Sequence, residues 1–382
     1  MQLYWLWYAL LQELTLRQKL TLLERFSDPE EIYNSKDLPE EIQPDKDLAE
    51  ARKLLNICRR KDIGILPMGD RRYPAKLRNI SDPPLVLYYK GVLPDFEDVP
   101  SIGVVGTRKA STYGLRTAKD ISAQIAACGG IVVSGGAYGI DTYALEGALA
   151  AEGVTVAVLG CGVDVAYPRE NRPLFQNIQQ TGCLLSEYVP GSGPKPWNFP
   201  ARNRIISGIC NGVLVVEAPE KSGALITAND ALEQGRDVYV VPGNIDVKTC
   251  SGSNALLREG ACAVFSGWDT LRAYEGQYKT IRQRSITLAE ENIPQPEQNH
   301  SDKKDIDIPV SKPYSVIEKT DIQLSEEEKR LVDCIGATPI PVDTVIEKVE
   351  LPTATVLSML TKLALRGVVI MHPGKLVSLK IT

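Results

Sequence analysis

A largely parallel, doubly wound α/β sheet is predicted for the middle of this 382-residue chain. Three observations predict it. Short apolar runs alternate with helical patterns from about residue 100 to 275. The runs are continuously apolar, as strands buried on both faces are. Many helical patterns are followed by glycine, at Gly129, Gly153, Gly182, Gly235 and Gly260, the residue that best ends a helix.

The elements follow in order. Residues 1–75 are helix-patterned, with Leu11, Leu14, Leu16, Leu20, Leu23 and Phe26 recurring near helical spacing. Met1–Tyr8 is apolar but lacks a basic flank and a small-residue cleavage site. It reads as a core helix, not a signal peptide. Asp82–Gly91 leads into a strand. Strands are expected at Ile102–Val105, Ile131–Val133, Val154–Leu159, Cys183–Leu185, Val213–Val216, Val238–Val241 and Cys262–Phe265. Residues 276–323 lose periodicity and carry Pro294, Pro296, Pro309 and Pro313 among charged and amide residues, which predicts a linker. Helical patterns return at Ser325–Cys334, Val342–Val349 and Thr353–Leu365, followed by a hairpin turning at Pro373-Gly374. Three helices and a hairpin suggest a small winged-helix-like domain. The expected domains are therefore 1–75, 76–275 and 324–382, with 276–323 between the last two.

Composition excludes some functions. No segment is long and apolar enough to span a bilayer. Eight irregularly spaced cysteines without a C-x-x-C pair point to buried thiols in a reducing cytoplasm, not to disulfides or zinc. The net charge of -5 argues mildly against nucleic-acid binding, but local distribution outweighs the sum. Basic residues gather beside glycine loops: Arg108, Lys109, Arg116, Lys119, Arg169, Arg172, Lys195, Arg202 and Arg204.

Four segments carry the chemistry: Gly106-Thr107-Arg108, Ser134-Gly135-Gly136-Ala137-Tyr138-Gly139, Phe199-Pro200-Ala201-Arg202-Asn203-Arg204 and Ser222-Gly223-Ala224. Each leads into a helical pattern. Glycine lets backbone N–H groups approach an anion, and a helix N-terminus favours negative charge. Several such loops on one sheet describe a surface for several phosphates. The first loop does not complete G-x-G-x-x-G, and the second strand ends on glycine where a nicotinamide fold wants an acid for the ribose. Dinucleotide binding is not expected, and no cofactor or metal is called for.

Only His300 and His372 exist, both outside the central region, which removes the commonest general base. Of the carboxylates, Asp141 is expected to cap a helix. Glu217 ends a strand, where it is either a catalytic acid or, the favoured reading, an orienting partner for Arg202 or Arg204. Ser134 and Ser222 lie outside any G-x-S-x-G motif. The segment Pro194–Arg204 mixes base with aromatics, as single-stranded nucleic acid requires. Trp197 is either core or exposed; Phe199, expected in a loop, is read as exposed.

These motifs resemble the DNA-processing protein A family. The matching pattern includes Asp70-Arg71-Arg72-Tyr73-Pro74, Gly106-Thr107-Arg108, Ser134–Asp141, Leu159–Asp164, Phe199–Gly208, Ser222–Ala228, Pro242-Gly243 and Gly252-Ser253-Asn254, in order over about two hundred residues. The resemblance implies an extended Rossmann-like domain that binds single-stranded DNA, forms a homodimer and helps load RecA recombinase during natural transformation. It also implies a sterile-alpha-motif-like helical domain before it and a winged-helix-like domain after it. No catalysis is implied. Together with the loops, it gives a candidate phosphate-binding set of Gly106, Thr107, Arg108, Ser134, Gly135, Gly136, Lys195, Arg202, Asn203 and Arg204. Phe199 is the candidate base-stacking residue. The rival reading is a nucleotide-cleaving phosphoribohydrolase of the same superfamily. Its Pro-Gly-Gly-x-Gly-Thr loop is not matched by Glu217–Ala224.

Overall fold

The computed structural model describes residues 1–39 and 42–284, and in the C-terminal unit 326–336, 340–349, 351, 353–365, 368–372 and 376–379. The chain divides into two compact units, Met1–Asn299 and His300–Thr382.

The first unit opens with four helices: α1 (Gln2–Leu10), α2 (Leu16–Arg25), α3 (Pro29–Asn34) and α4 (Ala49–Arg60). α1 buries Trp5, Leu6, Trp7 and Tyr8, so the apolar N-terminus is core, as its sequence suggests. α2 starts with a reciprocal capping box between Thr15 and Gln18. Buried Lys19 reaches back to the end of α1 and donates to the carbonyls of Leu11 (2.5 Å) and Ala9 (3.2 Å), satisfying orphan acceptors there. Asp28 caps α3, with Pro29 in its first turn.

β1 (Gly64–Pro67), α5 (Ala75–Arg78), β2 (Val86–Gly91), β3 (Ser101–Val105), α6 (Thr112–Ala127), β4 (Ile131–Ser134), α7 (Ile140–Ala150) and β5 (Thr155–Val158) come next. They are followed by α8 (Arg172–Thr181), β6 (Cys183–Ser186), α9 (Asn198–Ile209), β7 (Gly212–Val215), α10 (Gly223–Glu233), β8 (Asp237–Val240), α11 (Ser251–Arg258) and β9 (Cys262–Ala263). The nine strands form one sheet in the order β1-β2-β6-β5-β4-β3-β7-β8-β9. The pairs from β6 to β9 are parallel. β2 runs antiparallel to both β1 and β6. The protein is thus a mostly parallel, Rossmann-like α/β fold. β3 to β8 are buried almost throughout, which is why their sequences are continuously apolar.

Two sequence expectations change here. Gly64–Pro67, read as part of a helical segment, is an edge strand whose apolar run is too short to show a period. The predicted linker does not begin at 276. Tyr278 and Ile281 are buried against the sheet unit, and Arg282 N–H donates to the Cys128 carbonyl. The rest of the linker lies outside the described residues.

The second unit holds α12 (Glu326–Asp333), β10 (Ile340–Pro341), α13 (Val342–Val349), α14 (Thr353–Leu365), β11 (Val369–His372) and β12 (Leu376–Leu379). Its three strands pair antiparallel in the order β10-β12-β11. Three helices and a hairpin give the winged-helix arrangement. The hairpin turn at Pro373-Gly374 lies outside the described residues.

Candidate nucleic-acid interface

Strand order reverses at β3. The chain leaves it toward β4, β5 and β6, then returns to place β7 on its other side. A crevice outside the carboxyl ends of the strands is expected at such a switch point. One of about 750 Å³ lies there, lined by residues following β3, β4 and β7 and by the start of α9. α7, α9 and α10 all begin at it. Their N-termini bring partial positive charge to a site in an acidic chain.

Its floor is a buried charge cluster. Arg202 is 4% exposed. Its guanidinium donates to the carbonyls of Gly135 (2.7 Å) and Val158 and to Asn203 Oδ1 (3.2 Å). Asp141 is also buried, beside it. Burial pushes the Asp141 carboxyl up to about 6, against the opposing pull of Arg202, the Ala137 and Gly135 N–H groups and Arg108. Burial likewise lowers Arg202.

This geometry corrects several expectations. The N–H groups of Gly135 and Ala137 turn onto the protein's own Asp141, an internal anion where a phosphate was expected. Asp141 therefore does not cap α7; Gly139 occupies that position. Ser134 is fully buried and donates to the Val104 carbonyl at 2.7 Å. A side chain at Gly135 would collide with the Arg202–Asp141 cluster, its Cβ 2.5 Å from Arg202. Gly136 packs on Phe175. Ser134, Gly135 and Gly136 are buried in the floor beneath the crevice.

Arg204 leaves the site as well. Two residues along a helix turn by about 200°, so Arg202 and Arg204 face opposite ways. Arg204 pairs with Glu187 (2.7 Å) and Asp82 (3.0 Å). Glu217, the partner expected for either arginine, does something else. Its carboxylate accepts from Ser111 N–H (3.1 Å), Ser111 Oγ (2.9 Å) and Thr249 Oγ1, and its carbonyl accepts from Thr107 N–H (2.7 Å). It pins the loop that carries Arg108. Gly106 is packed tightly against Ile140 and the Glu217 carbonyl. Gly139 has φ 75°, and a Cβ there would lie 2.5 Å from the Thr107 carbonyl, so only glycine lets the two loops meet.

The open wall is different. Arg108 is exposed and has no acidic partner within salt-bridge distance among the described residues. Its guanidinium sits 5.6 Å from the centre of the Phe199 ring. Phe199 is half-buried on the first turn of α9, not in a loop, and its ring lies 5.4 Å from that of Tyr167. Trp197 is 68% exposed with Lys195 over its ring at 5.7 Å, which settles it as a surface residue. Thr107 lines the crevice, and Asn203 lies at its edge, donating to the Gly223 carbonyl at 3.2 Å. Of the predicted set, Gly106, Thr107, Arg108, Phe199, Arg202 and Asn203 line one crevice, Arg202 from its floor, with Lys195 just before α9 in sequence. Sequence reasoning missed Tyr167 and Lys221, which also line it. Their signal was positional: each follows a parallel strand at its carboxyl end.

The buried cluster makes stability depend on pH. Asp141 is raised in the folded chain, so folding takes up its proton between the ordinary carboxylate range and about 6. Its contribution is therefore most favourable at low pH and is lost as pH rises through 6. Denaturant unfolding at pH 4.5 and 7.5 should show a smaller pH difference in Asp141→Asn than in the parent. Identical profiles would mean that Asp141 is not held this way.

Comparison with known proteins agrees with the fold. Residues 64–275 match the family model described as DNA recombination-mediator protein A, and residues 318–375 match the DprA winged helix domain. Protein Smf of Synechocystis is 37% identical over 327 residues, covering 82% of this chain and 79% of that one. The X-ray structure of DNA processing protein A from Streptococcus pneumoniae superposes with a TM-score of 0.58 at 34% identity, covering 72% of this chain and 96% of that one. DNA processing protein A from Helicobacter pylori, whose structure concerns a single-stranded DNA binding mode, matches with a TM-score of 0.51 at 29% identity over 56% of this chain and 97% of that one. A sheet domain matched throughout, with a winged helix after it, places this chain in the DNA recombination-mediator protein A family.

Proposed function

We propose that this protein binds single-stranded DNA along the crevice at the β3/β7 switch point, without chemical turnover, and passes the strand to RecA recombinase during DNA uptake. It works in the cytoplasm as a homodimer. The observation that carries the reading is the open wall, where an unpaired, exposed arginine lies against a half-buried ring, with Tyr167 and Trp197 nearby. Cations neutralise the backbone, and flat rings accept bases that a duplex keeps stacked inside. The Helicobacter pylori relative's single-stranded DNA binding supports it.

The hydrolase reading is weaker for a structural reason. Glu217, the glutamate near the corresponding loop, has its carboxylate occupied by Ser111 and Thr249. Asp141 is enclosed by its own loop and Arg202. Neither is poised to activate water.

Titration with single-stranded and duplex DNA of equal length, at several salt concentrations, tests the proposal. Single strands should bind more tightly, and incubation with nucleoside monophosphates should release no base. Preference for duplex, or steady-state release of base, would overturn it. RecA filament formation on strands coated with a single-strand-binding protein should accelerate when this protein is added.

A further inference from the structure

A second cavity, of about 490 Å³, lies where α1 and α2 meet the turn that follows β1. β1 is antiparallel to β2, and β2 to β6, so β1 points the same way as the parallel strands. Its carboxyl end therefore opens on the same edge of the sheet as the crevice. Strand spacing of about 4.8 Å over the five steps from β3 to β1 puts the two roughly 24 Å apart.

The cavity presents donors. Trp5 walls it and is 3% exposed. Its indole N–H has no hydrogen-bond partner among the described residues, and Trp5 is not among the side chains whose polar atoms are sealed from solvent without one. The N–H therefore keeps some access to solvent, and it lies 3.5 Å from where a Cβ at Gly69, another wall of the cavity, would sit, so an acceptor in the cavity is within its reach. The turn lies directly on the indole: a Cβ at Gly69 would come within 2.7 Å of Trp5 Cζ2.

Three arginines surround the turn, each in a different state. Arg72 is held by Asp70, with Nη2 at 2.7 Å and Nε at 3.1 Å. This pairing holds the Asp70 carboxyl below its usual range and neutralises the acid at the cavity. Arg78 donates to the carbonyls of Met68 (3.2 Å) and Asp70 (3.3 Å), fixing the turn. Arg71 is exposed, lines the cavity and has no acidic partner among the described residues. A preorganised turn thus carries one free guanidinium beside one unpartnered indole N–H, with the nearby carboxylate already paired. Such a donor set suits a phosphate oxygen cluster.

We propose that the Trp5–Arg71 cavity is a second phosphate-binding site. The phosphate comes from a strand that continues from the crevice, which rests on the function proposed above, or from free phosphate in solution. At a stacked rise of about 3.4 Å per nucleotide, about seven nucleotides bridge the two sites.

The experiment has two arms. In the first, inorganic phosphate is added to the full chain and the Trp5 indole N–H resonance is followed. It should shift, and the shift should vanish in Arg71→Glu and persist in Arg71→Lys. In the second, deoxythymidine oligomers of about four and about fifteen nucleotides are titrated, the longer one exceeding the bridge estimated from the rise. Arg71→Glu should weaken the long oligomer by roughly tenfold or more, one charge-assisted contact, and leave the short one unchanged. A phosphate-induced shift with no effect on the long oligomer upholds the site and assigns it to free phosphate. Absence of any phosphate-induced shift overturns the site, whatever the oligomers do. If the parent protein binds neither oligomer, the proposed function fails, while the resonance still reports on the cavity.

Discussion

Arg202→Ala is expected to cost about 2–6 kcal/mol of folding stability, two buried carbonyls left without their donor at about 1–3 kcal/mol each. The guanidinium holds together loops that are far apart in sequence, through the Gly135 and Val158 carbonyls. Removing it strands those acceptors and takes from Asp141 the cation that pulls its carboxyl down, so burial holds that carboxyl higher still. Denaturant unfolding measures the loss, and Arg108→Ala, at an exposed position, serves as the near-neutral comparison. The two readings of Arg202 part here. As a surface phosphate ligand, its truncation would weaken DNA binding and leave stability within about 0.5 kcal/mol of the parent. That result would overturn its placement as a floor residue.

The sheet was readable because it is buried on both faces. A strand such as Val213–Val216 must be apolar throughout, and a continuous apolar run between helical patterns leaves few other readings. That the glycine loops share one edge of the sheet follows from the alternation of strands and helices, since ligand sites in such sheets lie at the carboxyl ends; the strand order that puts the crevice at β3 does not. β1 was not readable. Gly64-Ile65-Leu66-Pro67 is four residues long, follows a helix and pairs with β2, a partner some twenty residues away. No local period distinguishes it from the end of a helical segment.

Within the site, residue type was legible and direction was not. Arginines at 202 and 204 look alike in a sequence that mixes base with aromatics. Which one faces the sheet depends on the phase of α9, and that phase is set by Ile205, Ile206 and Ile209, all buried. Placing 202 on the buried side sends 204 to Glu187 and Asp82. Glu217 shows the same limit. Its place at a strand end was evident, but its partners Ser111 and Thr249 come from opposite sides of it in sequence, and hydroxyls give no charge signal. The glycine loop at 134–137 has an anion-binding sequence, and two of its N–H groups, those of Gly135 and Ala137, already serve an anion. The anion it holds is the chain's own Asp141.

Arg108→Ala and Phe199→Ala should weaken DNA binding by different physics. Arg108 is exposed, and no acid among the described residues lies within salt-bridge distance of it, so a phosphate meeting it displaces a counterion. Its loss should lower the slope of log affinity against log salt by about 0.7 for a single strand. Phe199 is neutral, and its truncation should cost on the order of 1–3 kcal/mol of binding, the usual worth of a stacked base, with the salt slope nearly unchanged. The structure adds a complication that the sequence did not show. Arg108 rests against the Phe199 ring, so the ring also positions the cation, by a contact worth about 0.5–1 kcal/mol at an exposed site. The double variant should therefore lose less than the sum of the single losses. Phe199 also packs on Gly160 and Tyr167, so thermal melting must accompany the titrations. A folded Phe199→Ala protein with a nearly unchanged melting point and weakened binding supports stacking. A large fall in melting point with full affinity in the folded fraction would make Phe199 a packing residue, and Tyr167 and Trp197 would then be the rings left to meet the bases.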